Sequence, residues 1–455
     1  MSQLFGECLA EWMRENALTP AALAERTGYR SKTTVIRFLQ GSSSCESCGK
    51  YLETLKSRFG LTEEWKRRFH RALLTEKYGA ERIRLYEALY GQMIENRINL
   101  QPAAPIATGL TDGCGEILIL GCPWLETFQL VSEALERSPG VKIRHYIAGE
   151  ELLSGPAVLR GLIAFLPDAR YSAFLVGDEA KTGRMWNVIC VREKDGGERI
   201  LAGMDGSFAS LLPGGDSGVF DRTKEQLSGL PGKALYRFDH LESGADYVRF
   251  LKECCRCERN RRTLIVKPTP GIQMIPVGIT AEGLGHYLGE KDLFNVRELD
   301  EAMTALCRRV DNFYGREEKT YLVFSPEGIR GFAENGLLAD QPYMMKPYSA
   351  GERKEILAEL LRFSGRENAA LYLLRDRSAL PFSFEIYKGS GTLIYPSNAS
   401  YNTESAPYRE LFLPDRGVEE LFVVFTMNAL IAGRCLSREE SRAKLEDLVR
   451  RMPGD

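Results

Sequence analysis

One stretch decides the fold of the amino-terminal region: Leu18-Thr-Pro-Ala-Ala-Leu23-Ala-Glu-Arg-Thr-Gly28-Tyr-Arg-Ser31-Lys-Thr-Thr-Val35-Ile-Arg-Phe-Leu-Gln-Gly41. Thr19 followed by Pro20 is typical of a helix start, because a threonine side chain accepts hydrogen bonds from free backbone amides and proline suits the first helical turn. Gly28 and Gly41 lie where a glycine ends a helix in the left-handed conformation. The stretch therefore predicts two short helices joined by a tight turn.

Helical spacing of apolar residues continues on both sides of this stretch, through Phe5, Leu9 and Trp12 before it and through residues 51–61 after it. We predict an all-α domain over residues 1–78, followed over residues 79–109 by a connecting helix and a linker rich in proline and alanine. The helix predicted at 80–99 is either a dimer helix or a helix that packs onto the helical domain.

The motif resembles the Cro/CI-type (XRE-like) helix-turn-helix, whose first half reads Leu-Thr-x-x-x-Leu-Ala-x-x-x-Gly and here spans Leu18–Gly28. Residues 31–41 are similar to the recognition helix of that family, and residues 51–61 to its closing helix. The chain departs from the family at Pro20, where a glutamine often contacts a phosphate, and in a loop between the helices that is one residue longer.

The resemblance implies that the second helix enters the major groove of DNA, amino-terminal end first. Its predicted DNA-binding residues are of types that reach phosphates and base edges. They are Arg30, Ser31, Lys32, Thr33, Thr34 and Arg37. One such module buries little DNA, so we expect a homodimer that reads two half-sites of double-stranded DNA.

After the linker the pattern changes to short apolar runs that alternate with amphipathic helices, which predicts an α/β region with mixed sheets. We assign one α/β domain to residues 110–279 and a second to residues 280–455. Both have the order strand, helix, strand and then hairpin, which suggests two similar halves. The apolar run Leu421–Phe425 reads as a strand, and Ser437 with Glu440 reads as the capping box of a last helix.

The α/β region resembles the phospholipase D-like fold in its paired halves and in a hairpin strand at 185–192. That family's catalytic motif is His-x-Lys-x-x-x-x-Asp in each half. No histidine of this chain is followed by lysine at the required place. The resemblance therefore implies the fold without its catalytic chemistry.

Other groups that could carry chemistry are explained more simply. The two Cys-x-x-Cys pairs, Cys45/Cys48 and Cys254/Cys257, could bind zinc together, but they are 206 residues apart and free thiols are favoured. His145 alternates with isoleucines on a strand, which favours a packed residue. A basic cluster binds an anion or forms a solvated helix face, and its members are Arg256, Arg259, Arg261, Arg262 and Lys267.

Length and composition limit the classes of protein to which the chain can belong. The chain has 455 residues, is 44% hydrophobic and has a net charge of −2, which indicates a multidomain globular protein. We expect a cytoplasmic location without membrane contact, since no apolar run approaches the ~18–20 residues that span a bilayer. The sequence singles out no catalytic residue, metal ligand, cofactor site or ligand pocket.

Three functions remain open. The first is a DNA-binding transcription regulator that is not an enzyme, whose α/β region senses a small-molecule or peptide effector or assembles the protein. The second is an enzyme of unknown reaction fused to a regulatory helix-turn-helix. The third is an assembly protein that uses the helix-turn-helix for protein contacts.

Overall fold

The computed structural model divides into two compact units, Met1–Glu87 and Ala88–Asp455. The structure describes residues 3–80, 83, 86–87 and 113–453, except for gaps at 30, 155, 166–167, 178–185, 205–206, 213–217, 229–232, 238–242, 260, 281–294, 339–346, 376–379, 381 and 397–409. Most of the helix predicted at 80–99 and the whole linker at 101–108 lie outside the described residues.

The first unit is helical, as predicted. Its helices are α1 (Gln3–Glu15), α2 (Pro20–Thr27), α3 (Lys32–Leu39), α4 (Cys45–Phe59) and α5 (Glu63–Tyr78). Their apolar faces form one core that includes Phe5, Leu9, Trp12, Tyr51 and Phe69. Among the described residues, no helix of either unit is long and apolar enough to cross a membrane.

The second unit contains two mixed sheets. The strands of the first sheet are β1 (Cys114–Leu120), β2 (Lys142–Ala148), β3 (Tyr171–Val176), β4 (Val188–Glu193), β5 (Glu198–Met204), β6 (Ser207–Leu212) and β7 (Lys233–Ala234). Those of the second are β8 (Tyr236–Arg237), β9 (Thr263–Lys267), β10 (Thr320–Phe324), β11 (Ala369–Leu373), β12 (Phe382–Tyr387), β13 (Gly391–Pro396) and β14 (Glu410–Leu413).

Helices connect these strands. They are α6 (Leu125–Arg137), α7 (Gly149–Ser154), α8 (Pro156–Ala164), α9 (Val219–Ser228), α10 (Gly244–Glu258), α11 (Val296–Tyr314), α12 (Pro326–Asn335), α13 (Ala350–Ser364), α14 (Arg416–Phe425) and α15 (Arg438–Arg451). A π-helical segment, Thr426–Ile431, continues α14. The predicted capping box of α15 is present, with Ser437 and Glu440 each bonded to the other's backbone amide.

The two sheets have the same strand order. The first runs β3-β2-β1-β4-β5-β6 and the second β11-β10-β9-β12-β13-β14. In each, the first three strands are parallel and the last three are antiparallel to their neighbours. The short strands β7 and β8 lie at the outer end of each sheet, β7 beside β3 and β8 beside β14. Leu235, between them, links the two sheets: its amide donates to the Ala173 carbonyl on β3, and its carbonyl accepts from the Phe412 amide on β14.

Two details differ from the sequence predictions. Leu421–Phe425 is helical, as part of α14, because Asp415 caps the helix start and Val418, Leu421, Phe422 and Phe425 are buried at helical spacing. The predicted boundary at residue 280 falls inside the set of elements that builds the second sheet. The reason is that β9, which precedes this boundary, is a central strand of that sheet.

His145 is fully buried on β2, as its sequence pattern suggests. Its Nδ1 lies 2.7 Å from the Tyr171 hydroxyl and its Nε2 lies 2.7 Å from the Gly121 carbonyl oxygen. Burial lowers the pKa of His145 to about 4, against the smaller opposing effect of the Gly121 hydrogen bond. The imidazole is therefore a neutral part of the core at physiological pH.

This shift has a consequence for stability in acid. Between pH 6.5 and 4 the unfolded chain binds a proton at His145 that the folded chain does not, so the free energy of unfolding falls as pH falls, by about 3 kcal/mol in total. We expect His145→Asn to remove this component. The test is urea unfolding of both proteins from pH 7 to 4; equal pH slopes would show that His145 does not titrate in this range.

Candidate nucleic-acid interface

The helices α2 and α3 begin and end as their sequence predicts. The Thr19 hydroxyl accepts from the Ala22 amide, and Gly28 adopts a φ of 80°. The next amide, that of Tyr29, donates to the Ala24 carbonyl 2.9 Å away, which completes a Schellman-type ending. Ser31 is the N-cap of α3 and its hydroxyl accepts from the Thr33 amide. Lys32 is therefore the first residue of α3.

The inner face of α3 is fixed by aromatic packing. Val35 and Phe38 are buried in the same core as Leu9 and Leu23. The ring of Phe38 stacks on Tyr51 of α4, with 4.3 Å between centroids. Because both faces of that ring are in a packed core, α3 has one rotational setting about its axis, and this setting determines which residues face outward.

Helix α1 crosses the end of α3 at Gly6. A Cβ atom there would lie 2.6 Å from the carbonyl oxygens of both Phe38 and Leu39. Only glycine allows this approach, since backbone atoms cannot move aside as a flexible side chain would.

Gly6→Ala is therefore expected to destabilise the helical unit by about 1–3 kcal/mol through overpacking. Gly49→Ala is the matched control. It is also a helical glycine, but nothing lies within 4 Å of its Cβ position, so this change is expected to stabilise by up to about 1 kcal/mol. Hydrogen exchange of peptides from residues 3–78 measures both. Equal protection in the two variants would contradict the close packing of α1 on α3.

The outward face of α3 holds most of the predicted DNA-binding residues. Lys32, Thr33 and Arg37 are exposed. Ser31 is exposed but its hydroxyl already caps the helix. Thr34, also predicted to bind DNA, is half-buried at the edge of the face. Arg30 lies outside the described residues.

Two further residues share this face and were not predicted. Ile36 is half-buried and Gln40, the C-cap of α3, is exposed. Both follow Lys32 and Thr33 at helical spacing. The signal was available in the sequence, because residues four apart lie on one face of a helix.

Charge is uncompensated on this face. Lys32 and Arg37 form no ion pair with any described residue. The two lysines of α4 differ: Lys50 bonds to Glu46 at 2.7 Å and Lys56 to Glu53 at 2.6 Å, whereas Arg58 of the same helix forms no ion pair with a described residue. The two cations of α3 are thus available to an anionic partner.

The other predicted groups do not assemble. All eleven cysteines are free thiols, and no group of three or more His, Cys, Asp or Glu among the described residues could hold a metal ion. Burial raises the pKa of Cys254 well above its usual value. The Nε2 atom of His70 lies 3.0 Å from the Nζ atom of Lys56. Burial and the nearby Lys56 charge lower the pKa of His70 to about 4.

A buried ionic cluster in the second sheet was not predicted. Lys267 at the end of β9 pairs with Glu385 on β12, and both side chains are at most 5% exposed. Arg309 on α11 donates through Nε to both carboxylate oxygens of Glu258 on α10, at 2.9 and 3.1 Å. The Tyr387 hydroxyl donates to Glu385 and also lies 3.3 Å from Glu258, so it is positioned between the two ion pairs.

The cluster combines two buried ion pairs around a small cavity. Burial acts to raise the pKa of Glu385, but Lys267 and Arg309 outweigh it and lower the pKa to about 2. Tyr395 donates to this carboxylate at 2.8 Å and Gln273 at 3.1 Å. The cavity that the cluster lines is about 10 Å³, near the lower limit for one water molecule.

The fold does not require these charges. The hairpin turns after β4 and β12 each enclose three residues, between Glu193 and Gly197 and between Tyr387 and Gly391. When these two turns are superimposed in sequence, Glu193 corresponds to Tyr387, and Val191 on β4 therefore corresponds to Glu385 on β12. Strand pairing then places Ile119 at the position of Lys267. The first sheet therefore has two buried apolar side chains where the second has an ion pair.

Comparisons with known proteins provide no relative for this chain: no protein-family model matches it, and no curated protein matches it.

Proposed function

We propose that the chain is a sequence-specific DNA-binding transcription regulator, not an enzyme, whose α/β region senses an effector or assembles the protein. One observation carries the proposal: the outward face of α3 presents Lys32 and Arg37 without carboxylate partners among the described residues. The opposite face is fixed in the core. This combination suits a helix that enters a groove as a rigid body.

In this proposal each side chain of the face has a distinct role. Lys32, in the first turn of α3, binds a phosphate, and the helix amino terminus favours that anion further. Arg37 reads a guanine and Gln40 an adenine through paired hydrogen bonds, while Ile36 contacts a thymine methyl group. Thr33 bonds to a phosphate or a base edge. A cytoplasmic homodimer would read two such half-sites.

A second candidate function is favoured by the buried ionic cluster. Lysine, glutamate and tyrosine side chains converge there at the carboxyl end of β9. This strand lies between β10, which is parallel to it, and β12, which is antiparallel to it. Ligands of open α/β sheets bind at such points. The cluster would then serve as an effector site or, after opening, as an active site.

The test is the salt dependence of duplex binding by the full chain. If the regulator proposal holds, the logarithm of the binding constant falls linearly with the logarithm of salt concentration, by about 0.9 for each phosphate neutralised. If the chain instead uses this helical unit for protein contacts, Lys32→Ala/Arg37→Ala leaves both the affinity and its salt dependence unchanged. Fluorescence anisotropy of a labelled duplex between 50 and 200 mM salt, a range suited to this effect, distinguishes the two.

A further inference from the structure

The second sheet gathers separate parts of the chain at one edge. Strands β9, β10 and β11 are parallel, so they begin at the same edge. Strand β12 is antiparallel to β9 and therefore ends there, at the β12–β13 turn. We call this edge, made of residues 259, 261–262, 315–319, 365–368 and 388–390, the basic edge.

Basic residues dominate it. The described basic side chains of these segments are Arg259, Arg261, Arg262, Arg316, Lys319, Arg366 and Lys388. The acidic ones are Glu317, Glu318 and Glu367. A further carboxylate, Glu419, is buried and accepts hydrogen bonds from the amides of Gly389 and Gly391, which holds the turn in place.

None of the seven cations forms an ion pair with a described residue. Two of them are held by backbone carbonyls at the surface: Arg261 donates to Lys388 at 3.0 Å and Arg366 donates to Tyr314. Arg316 is buried and donates to Asn312 at 3.2 Å. These contacts orient the guanidinium groups without neutralising them.

Two of the five residues in the basic cluster described from the sequence do not belong to the basic edge. Arg256 pairs with Glu253, and Lys267 pairs with Glu385 at the opposite end of β9. Arg259, Arg261 and Arg262 remain, and residues from 54 to 129 positions further along the chain join them. The topology, not the local sequence, concentrates the charge.

The first sheet provides an internal comparison. Among the described residues, the basic side chains at or beside its equivalent edge are Arg137, Lys142, Arg170 and Lys194, of which Arg137 pairs with Glu133 and Arg170 pairs with Asp168 at 2.6 Å. Asp195 lies in the turn beside Lys194. The same fold is thus close to neutral at this edge in one half and strongly basic in the other, so the charge of the basic edge is not a requirement of the fold.

We propose that the basic edge binds the phosphate backbone of double-stranded DNA, as a second contact that reads no bases. Four strands spaced 4.7–4.9 Å apart span about 15 Å, a length of duplex that carries about nine phosphates. Arginines oriented by backbone carbonyls suit bidentate phosphate binding. The choice of DNA as the polyanion rests on the proposed function, but the contact itself is independent of α3.

The experiment measures the salt dependence of binding to a 30-base-pair duplex of arbitrary sequence. Lys319→Ala/Lys388→Ala removes two exposed lysines of the basic edge. Lys142→Ala/Lys194→Ala removes two exposed lysines near the equivalent edge of the first sheet and is the control of equal charge. Each pair is made in the wild type and in a Lys32→Ala/Arg37→Ala background. Circular dichroism checks that all five variants fold, the Lys32→Ala/Arg37→Ala background included.

We expect the slope of log binding constant against log salt to become shallower by about 1.8 with the basic-edge pair, two phosphates at about 0.9 each, and to stay unchanged with the control pair. Equal slopes for the two pairs would overturn the inference, as would binding to anionic lipid vesicles but not to the duplex. The regulator proposal fails separately, if the α3 substitutions leave the affinity and the salt slope for this duplex unchanged while the basic-edge pair still reduces them.

Discussion

Replacing Lys32 and Arg37 together by alanine is expected to weaken binding to the preferred DNA site about 30- to 1,000-fold. This corresponds to about 2–4 kcal/mol, the sum of one base-reading arginine and one phosphate-binding lysine. The two side chains are exposed on the outward face of α3 and play no part in its core. The fold should therefore survive the change.

The matched control is Lys50→Ala/Arg58→Ala, which removes the same charge from exposed positions of α4. Fluorescence anisotropy measures the affinity of all three proteins at one salt concentration and the slope across several. The control should lose little affinity at the preferred site. If both pairs weaken binding equally, net charge governs binding and α3 has no special role.

The second large effect concerns the ionic cluster of the second sheet. Lys267→Met or Glu385→Leu alone leaves an uncompensated buried charge, which costs about 3–5 kcal/mol of the free energy of unfolding. Lys267→Ile/Glu385→Val installs the residues of the equivalent positions in the first sheet, Ile119 and Val191. It should cost far less than the sum of the two single changes.

A double-mutant cycle by urea unfolding measures this coupling with the single changes Lys267→Ile and Glu385→Val. We expect it to exceed about 2 kcal/mol, against less than about 0.5 kcal/mol for the exposed pair Arg256 and Glu253. Additive single changes would mean that the ion pair contributes nothing specific. A stable double variant would indicate that the charges serve binding rather than folding, and it would provide an effector-site knockout for functional assays.

The helical unit was predictable because its signals are local. Thr19, Gly28 and Ser31 act within one turn of their own backbone, so short-range chemistry determines where α2 and α3 begin and end. The outward face follows from these limits by helical periodicity. Only the partial burial of the Thr34 side chain depends on tertiary packing and could not be predicted in this way.

The α/β region was predictable as alternating elements but not as sites. Lys267 and Glu385 are 118 residues apart, and Glu258 and Arg309 are 51 apart. Only the strand order and register bring them together. The run Leu421–Phe425 shows the limit of local patterns: five apolar residues suit a buried strand or a buried helix, and the cap at Asp415 decides for the helix.

The most direct test of the central claim is a pull-down of genomic DNA fragments by the full chain, followed by sequencing, with wild type and Lys32→Ala/Arg37→Ala in parallel at about 150 mM salt, where non-specific phosphate binding is weakened. We predict that the wild type enriches a repeated site with two related half-sites and that the double variant does not. No enrichment by the wild type, or equal enrichment by the variant, would contradict the assignment of α3 as the DNA-reading helix.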